Sequence, residues 1–197
     1  MSESLTVLGH SIQAILSNVP GGHWVVMSVV ALVVAVFLLI RKRYSAYAAL
    51  AMGLTVFVGL FLLETAVLMR LSGNYPYNSG VTFGFERIVH PSVSEWAELI
   101  SNVVVFIPFG LFLSEFLASA KRFSAGRRLG LATLAGFGLS LCIECLQLLL
   151  RVGFFELTDL VMNTLGVFVG AVVAVGTRML CEWGREKKRH VVSALID

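Results

Sequence analysis

Residues 133–170 decide the fold and read TLAGFGLSLCIECLQLLLRVGFFELTDLVMNTLGVFVG, two apolar segments joined by a short turn. Successive residues of an α-helix are turned by about 100°, so polar and small residues of the first segment share one narrow arc. They are Thr133, Gly136, Ser140, Glu144, Gln147 and Arg151. On the second segment Asp159, Asn163, Gly166 and Gly170 share one stripe. Polar side chains are costly when they face lipid, so the two stripes predict two helix faces that meet.

The composition of the whole chain is that of a membrane protein. Of its 197 residues, 57% are hydrophobic and 14% are charged, whereas a soluble domain carries about 25% charged residues. Most of the chain lies in apolar runs near the roughly 20 residues that a bilayer-spanning helix needs. No remaining polar stretch is long enough for a separate soluble domain. The sequence therefore predicts one all-α membrane protein, a bundle of about five transmembrane helices.

The apolar runs place these helices at about 23–40, 45–69, 93–118, 129–150 and 158–181. Residues 1–22 contain no Lys or Arg but have apolar residues at helical spacing, which predicts an interfacial segment rather than a signal peptide. The transmembrane domain then covers 23–181, and 182–197 form a basic cytoplasmic tail suited to anionic lipid rather than nucleic acid. The longest loop is about 70–91.

Basic residues predict the orientation of the bundle. With the N-terminus outside, 12 of the 15 Lys and Arg lie on the cytoplasmic side, and only Arg70, Arg87 and Arg151 lie outside. The inverted topology would reverse this bias, so the positive-inside rule favours an outside N-terminus and a cytoplasmic C-terminus.

Polar residues of four spans then fall at one depth. At a rise of about 1.5 Å per residue, they lie near the outer surface. The set comprises Glu64, Glu98, Asn102, Glu144, Gln147, Asp159 and Asn163. Apart from basic residues that reach water, we expect nothing comparable at the cytoplasmic end. The sequence predicts an outward-facing polar pocket between the last three helices.

Several of these residues also form a pattern that resembles the VanZ-like family of bacterial membrane proteins. The pattern is Asn102 with Pro108-Phe-Gly110, then Ser140-x3-Glu144-x2-Gln147, then Asp159-x3-Asn163-x2-Gly166-x3-Gly170, within a motif core at 95–172. The family's usual Asn-x-x-Pro-Phe segment has a counterpart at 78–85 that lacks Pro-Phe. The resemblance implies a link to glycopeptide resistance of the teicoplanin type, and hence to the cell envelope and the bacterial cytoplasmic membrane.

Glu144 is the first candidate for function. An acid this deep in a span is by default a functional hypothesis, as a general acid or base or as a ligand for a polar head group. The alternative is a structural role, paired across helices with Gln147, Asn163 or Asn102. Asp159 is the second catalytic candidate, although as the residue after Thr158 it also suits a helix start.

Other residues are candidates for binding. Asn102, Ser140, Gln147 and Asn163 either orient a ligand or hydrogen-bond between helices. Arg151 either reaches water, pairs with an acid, or contacts phosphate, and Arg87 and Arg70 in the outer loops are further phosphate candidates.

Other chemistries lack a motif. The sequence contains no H-E-x-x-H, no P-loop and no G-x-S-x-G, and its four histidines are scattered, so we expect no metal and no cofactor. Cys142-Ile-Glu-Cys145 has no redox or metal context, and we interpret both cysteines as small helix-packing residues. Gly166-x3-Gly170 and Gly126-x3-Gly130 predict close helix approach.

Three classes of function stay open at this point. The favoured one is binding or transport of a polar envelope lipid or lipid-linked precursor, with an anionic head group. The second is a membrane enzyme in which Glu144 and Asp159 perform acid–base chemistry on the head group. The third is a structural envelope accessory. The oligomeric state is left open.

Overall fold

The computed structural model describes residues 6, 9–10, 13, 19–41, 44–72, 78–83, 89, 91–121 and 123–194. The helices are α1 (Gly21–Ile40), α2 (Ala46–Leu63, continued by a π-helical segment Glu64–Leu68 and a turn Met69–Ser72), α3 (Val93–Lys121), α4 (Ala125–Leu149) and α5 (Leu157–Ala194). The strands are β1 (Asn78–Thr82) and β2 (Val152–Glu156).

Five helices within these described residues are long and apolar enough to cross a membrane. They are Gly21–Ile40, Ala46–Leu71, Val93–Ala120, Ala125–Leu149 and Leu157–Arg189. The prediction of an all-α, five-helix membrane bundle is confirmed. The interfacial segment predicted at 1–22 lies largely outside the described residues. The basic tail begins as a direct continuation of α5, which runs unbroken to Ala194.

The most extensive packing in the bundle is between α3 and α5. A Cβ at Gly110 would overlap the backbone of Val167, and Cβ atoms at Gly166 and Gly170 would overlap the carbonyls of Val103 and Ile107. The two backbones therefore approach so closely that only glycine fits at these three positions. The predicted close approach at Gly166 and Gly170 is confirmed, and its partner is α3 rather than α4.

Helices α2 and α4 complete the bundle around this pair. Leu62 and Val67 of α2, Phe106 of α3, Ile143 of α4 and Val167 of α5 form the buried apolar core. On the α4 side, the side chain of Val167 lies close against Gly136. The core thus joins four helices.

Helix α1 lies at the edge of the bundle and packs on α2. The ring of Trp24 stacks on Phe57 and Phe61, with ring centroids 6.0 and 5.4 Å apart. Beside this stack, His23 Nδ1 contacts the buried carboxylate of Glu64. The sequence placed Glu64 with the polar residues near the outer surface, and in the structure its side chain is held against α1.

The start of α3 has a capping box formed by Ser92 and Glu95. The backbone N–H of Ser92 donates to Glu95 Oε2 at 2.8 Å, and the N–H of Glu95 donates to Ser92 Oγ at 3.4 Å. These bonds satisfy N–H groups that a helix start otherwise leaves unpaired. Glu95 is accounted for by this role.

The turn predicted at 151–157 is a strand in the structure. Strand β2 pairs in parallel with β1, in a register that runs from Asn78 opposite Val152 to Thr82 opposite Glu156. At Gly80 a Cβ would lie 2.7 Å from the ring of Phe154, so the ring covers the glycine. This two-stranded sheet joins the segment after α2 to the α4–α5 connection.

Two packing predictions are wrong. Nothing lies within 4 Å of a Cβ built at Gly126 or Gly130, so this pair mediates no close approach among the described residues. Cys142 and Cys145 are exposed on the outside of α4 rather than packed between helices. Helical periodicity shows which residues share a face of a helix, but not which face packs against a neighbouring helix.

Candidate functional site

A cavity of about 430 Å³ lies at one end of the bundle, where α2 and α4 finish and α3 and α5 begin. Its wall is formed by polar residues from these four helices above an apolar base that includes Leu62, Phe106 and Ile143. The polar residues are Thr65, Arg70, Ser94, Glu98, Ser101, Asn102, Glu144, Gln147, Asp159 and Asn163. We call this cavity the Glu144 pocket.

Glu144 is nearly enclosed, with 2% of its surface exposed. Its Oε2 accepts a hydrogen bond of 3.0 Å from the backbone N–H of Glu156, the last residue of β2. A buried carboxylate requires such donors, because desolvation of a charge is costly. The carboxyl group is therefore fixed by the strand while it lines the cavity.

Gln147, one turn further along α4, is held by α2. Its Nε2 donates a 3.0 Å hydrogen bond to the carbonyl of Ala66, inside the π-helical segment. A π-helical turn changes the usual backbone pairing and is common at functional sites. This irregular turn of α2 therefore helps to fix the pocket wall.

Arg70 supplies a positive charge to the pocket. It follows the π-helical segment, and its Nη1 lies 2.6 Å from where a Cβ of Gly153 would be. The absence of a side chain at Gly153 gives the guanidinium its space, and the same glycine lies against Gln147. From the sequence, Arg70 was expected in an outer loop as a possible phosphate contact, and the structure places it in the wall of the pocket.

Asn163 connects the stripes of α4 and α5. Its Nδ2 donates a 3.0 Å hydrogen bond to Ser140 Oγ. Its Oδ1 is buried without a hydrogen-bond partner among the described residues, in a side chain that lines the pocket. The two stripes meet at this bond, and one acceptor is left available to a ligand.

The structure gathers most of the residues that the sequence singled out. Asn102, Glu144, Gln147, Asp159 and Asn163 line the pocket together, and Ser140 lies behind it, bonded to Asn163. Four wall residues that the sequence did not single out for binding are Thr65, Ser94, Glu98 and Ser101. Glu98 was expected only at the same depth as the other polar residues.

Arg151 is not one of the residues that line the pocket. Helix α4 ends at Leu149, and Arg151 has a φ of 57° in an exposed turn. A positive φ turns the side chain away from the arc that a continued helix would give it. Arg87 lies outside the described residues.

The opposite end of the bundle corrects another expectation, because it also holds buried polar groups. Glu115 Oε2 accepts bonds from Tyr47 Oη at 2.6 Å and from Arg178 Nε at 2.9 Å. Arg178 Nη2 donates to Ser119 Oγ at 2.8 Å. We call these four residues the Glu115 cluster. Spacing alone did not indicate that α2, α3 and α5 bring them together.

Comparisons with known proteins support the family resemblance. The family model described as VanZ/LLP1 matches residues 25–180. The chain is 32% identical over 81 residues to a protein of Enterococcus faecium named Protein VanZ. This match covers 40% of the chain and 45% of the relative, so the chain spans less than half the length of that protein. No solved structure matches the chain.

The family match covers the helices from early α1 to late α5 and includes every described residue of the Glu144 pocket. Together with five membrane-spanning helices, it shows that this chain is a multi-pass membrane protein of the VanZ/LLP1 family.

Proposed function

We propose that the Glu144 pocket binds the head group of a polar cell-envelope lipid or lipid-linked precursor at the outer face of the bacterial cytoplasmic membrane. The observation that carries the proposal is a cavity of about 430 Å³ between a buried carboxyl, Glu144, and a cationic side chain, Arg70. Cavities of roughly 300–1,000 Å³ are the usual size of small-molecule sites.

The cavity itself argues against a purely structural role for the charged residues. A polar residue that only joins helices bonds to another residue and does not line the cavity, as Ser140 does with Asn163. Arg70, Glu144 and Asp159 surround a space that would hold several water molecules at about 30 Å³ each. Charged residues at a cavity within a membrane span are typical of a substrate site.

The charges of the wall define the ligand further. Arg70 suits a phosphate, because a guanidinium matches phosphate oxygens in geometry. Glu98, Glu144 and Asp159 are acceptors that suit the hydroxyl, amide or ammonium groups of a head group. Three carboxyl groups beside one arginine favour a ligand that carries both a phosphate and several hydrogen-bond donors over a purely anionic one.

The family supplies the biological setting of the proposal. The resemblance links such proteins to teicoplanin resistance, and a ligand from the cell envelope agrees with that link.

The orientation follows from the predicted positive-inside bias, with 12 of 15 basic residues on the cytoplasmic side. Thiol labelling tests this orientation. Exposed Ser94 is replaced by cysteine in a chain whose three native cysteines have been removed. An impermeant thiol reagent added to intact cells should then label residue 94.

The binding experiment uses purified protein in liposomes that contain a labelled envelope-lipid extract. Wild type is compared with Glu144→Gln and Arg70→Gln, and with Glu186→Gln and Arg189→Gln as controls on the exposed end of α5. After re-purification, mass spectrometry identifies the lipids that stay bound. A lipid retained by wild type and both controls, but lost from the two pocket variants, supports the proposal. Equal retention by all five proteins refutes it.

The same samples test an enzymatic function. Glu144 and Asp159 line one cavity from adjacent helices, which is an arrangement that general acid–base chemistry needs. A new lipid product that forms with wild type and the controls, but not with Glu144→Gln, would establish an enzyme and identify its substrate. Unchanged lipids with a specifically bound species would establish binding or transport without catalysis.

A further inference from the structure

Arg128 lies in the first turn of α4, at the end of the bundle opposite the Glu144 pocket. Only 7% of its surface is exposed, and Nε and Nη1 have no hydrogen-bond partner among the described residues. An arginine near a membrane surface ordinarily extends its guanidinium into water. Arg128 does not, so its charge is buried and requires a counter-charge.

A second cavity, of about 640 Å³, lies beside this guanidinium. Arg128 and Arg178 line it together with the hydroxyl residues Ser45 and Ser119, and exposed Glu182 stands at its edge. Ser45 Oγ accepts from the N–H of Ala48, and Ser119 Oγ accepts from Arg178. Since both hydroxyls act as acceptors in these bonds, each can still donate its own hydrogen to a ligand.

The start of α4 adds a further feature that favours an anion. The N-cap residue Ser124 makes no side-chain hydrogen bond to the helix, and Ala125, the first helical residue, lines the cavity. The first N–H groups of a helix have no partner inside the helix, and the helix dipole places positive charge there. Helix starts of this kind bind phosphate groups.

The two arginines differ in how their charge is compensated. Arg178 is paired with Glu115 at 2.9 Å, so the pair is close to neutral. Arg128 thus supplies the buried charge of the cavity, with two donors unpaired among the described residues. The carboxylate of Glu182 is exposed, so water and salt screen its charge. This balance fits one negative charge, such as that of a phosphodiester.

We propose that this cavity, which we call the Arg128 site, binds a phosphodiester group in the leaflet opposite the Glu144 pocket. The guanidinium of Arg128 and the start of α4 hold the phosphate, and Ser45 and Ser119 donate to its oxygens. The phosphodiester belongs either to a membrane phospholipid or to a soluble compound. The proposal is independent of what the Glu144 pocket binds.

The test measures thermal unfolding of the purified full chain in detergent while a probe is titrated. The three probes are short-chain phosphatidylglycerol, a water-soluble glycerophosphodiester and inorganic phosphate. Arg128→Gln is compared with wild type and with Arg127→Gln, which removes the same charge at the adjacent but exposed position. Arg70→Gln is measured as well, to report on any binding of the probe to the Glu144 pocket.

We expect phosphatidylglycerol to stabilise wild type and Arg127→Gln at the same concentrations. Arg128→Gln should need about tenfold more probe or higher, because it loses charge-assisted hydrogen bonds. Stabilisation by phosphatidylglycerol alone identifies a membrane lipid as the source, whereas an equal effect of the glycerophosphodiester or of phosphate identifies a soluble anion.

Arg128→Lys extends the test if Arg128→Gln does not fold. It keeps the positive charge but loses the planar set of donors, so we expect a several-fold weaker response. A variant at Arg128 that responds as wild type does overturns the proposal, and so does a wild type that none of the three probes stabilises. A response that is lost in Arg70→Gln but kept in Arg128→Gln assigns the lipid to the Glu144 pocket and likewise overturns it.

Discussion

The two ends of the bundle use similar residue types in different ways. In the Glu115 cluster, the carboxylate of Glu115 receives donors from two side chains on two other helices, at 2.6 and 2.9 Å. In the Glu144 pocket, the carboxylate of Glu144 receives a backbone N–H of a strand and lines a cavity of about 430 Å³. Glu115 also lines a cavity, of about 410 Å³, but its carboxylate is paired with a cationic side chain of another helix. The donor to Glu144 is instead a neutral backbone N–H. The burial of an acid therefore does not reveal its role, but its partners do.

Both ends depend on the contact between α3 and α5, so the largest effect should come from Gly170. A Cβ at this position would overlap the Ile107 carbonyl, and backbone cannot move aside as a side chain can. We expect Gly170→Ala to lower the free energy of unfolding by about 3 kcal/mol or more and to abolish most folded protein. Size-exclusion chromatography of a fluorescent fusion measures the folded yield.

Gly176→Ala is the matched control for Gly170→Ala, six residues further along the same helix. No atom lies within 4 Å of the position that its Cβ would occupy, so alanine should stabilise the helix by about 0.5–1 kcal/mol. Equal folded yields for the two variants would show that the close approach of α3 and α5 is not required.

Glu115→Gln should have the next largest effect on stability. It leaves the guanidinium of Arg178 without its carboxylate partner in a partly buried position. Breaking a fully buried pair costs about 3–5 kcal/mol, and the 30% exposure of the Arg178 side chain reduces this to about 1–3 kcal/mol. Thermal unfolding in detergent measures the change, with the exposed Glu186→Gln as control. An unfolding temperature equal to that of wild type would contradict the role assigned to the Glu115 cluster.

Glu144→Gln should separate binding from stability. Glutamine keeps the shape of the side chain, and its amide oxygen can still accept the N–H of Glu156. We expect the free energy of unfolding to change by less than about 1 kcal/mol, while the retained envelope lipid falls about tenfold or more. The readouts are thermal unfolding and mass spectrometry of bound lipid on one preparation. A loss of stability as large as that of Glu115→Gln would instead make Glu144 a structural residue.

The sequence predicted the parts of the fold that depend on local rules. Five apolar runs give five spans because the bilayer sets a minimum length. Glu144, Gln147, Asp159 and Asn163 were placed on inward stripes because a polar side chain that faces lipid is costly. In the structure these four residues line one cavity, and the family resemblance is confirmed over residues 25–180.

The features that the sequence missed depend on distant contacts or on local breaks in the helix. The pairing of β1 with β2 joins residues about seventy positions apart, and neither strand has a strong alternating pattern. Arg151 was placed by extending α4 beyond Leu149, where the backbone leaves the helix. The Glu115 cluster and buried Arg128 were missed because basic residues near a span end were all expected to reach water.

The smallest expected effects on stability come from removing the hydrogen bond between Asn163 and Ser140. These variants still distinguish a structural contact from a contact with the ligand. Ser140 does not line the pocket, whereas Asn163 does and has a buried Oδ1 without a partner among the described residues. A hydrogen bond between membrane helices is worth about 0.6 kcal/mol, so Ser140→Ala and Asn163→Ala should each lower stability only slightly. Lipid retention should be unchanged in Ser140→Ala and reduced in Asn163→Ala. Because both variants lose the same interhelical bond, a difference in retention isolates the contribution of Oδ1 to the ligand. Equal retention in the two variants would limit Asn163 to holding α4 and α5 together.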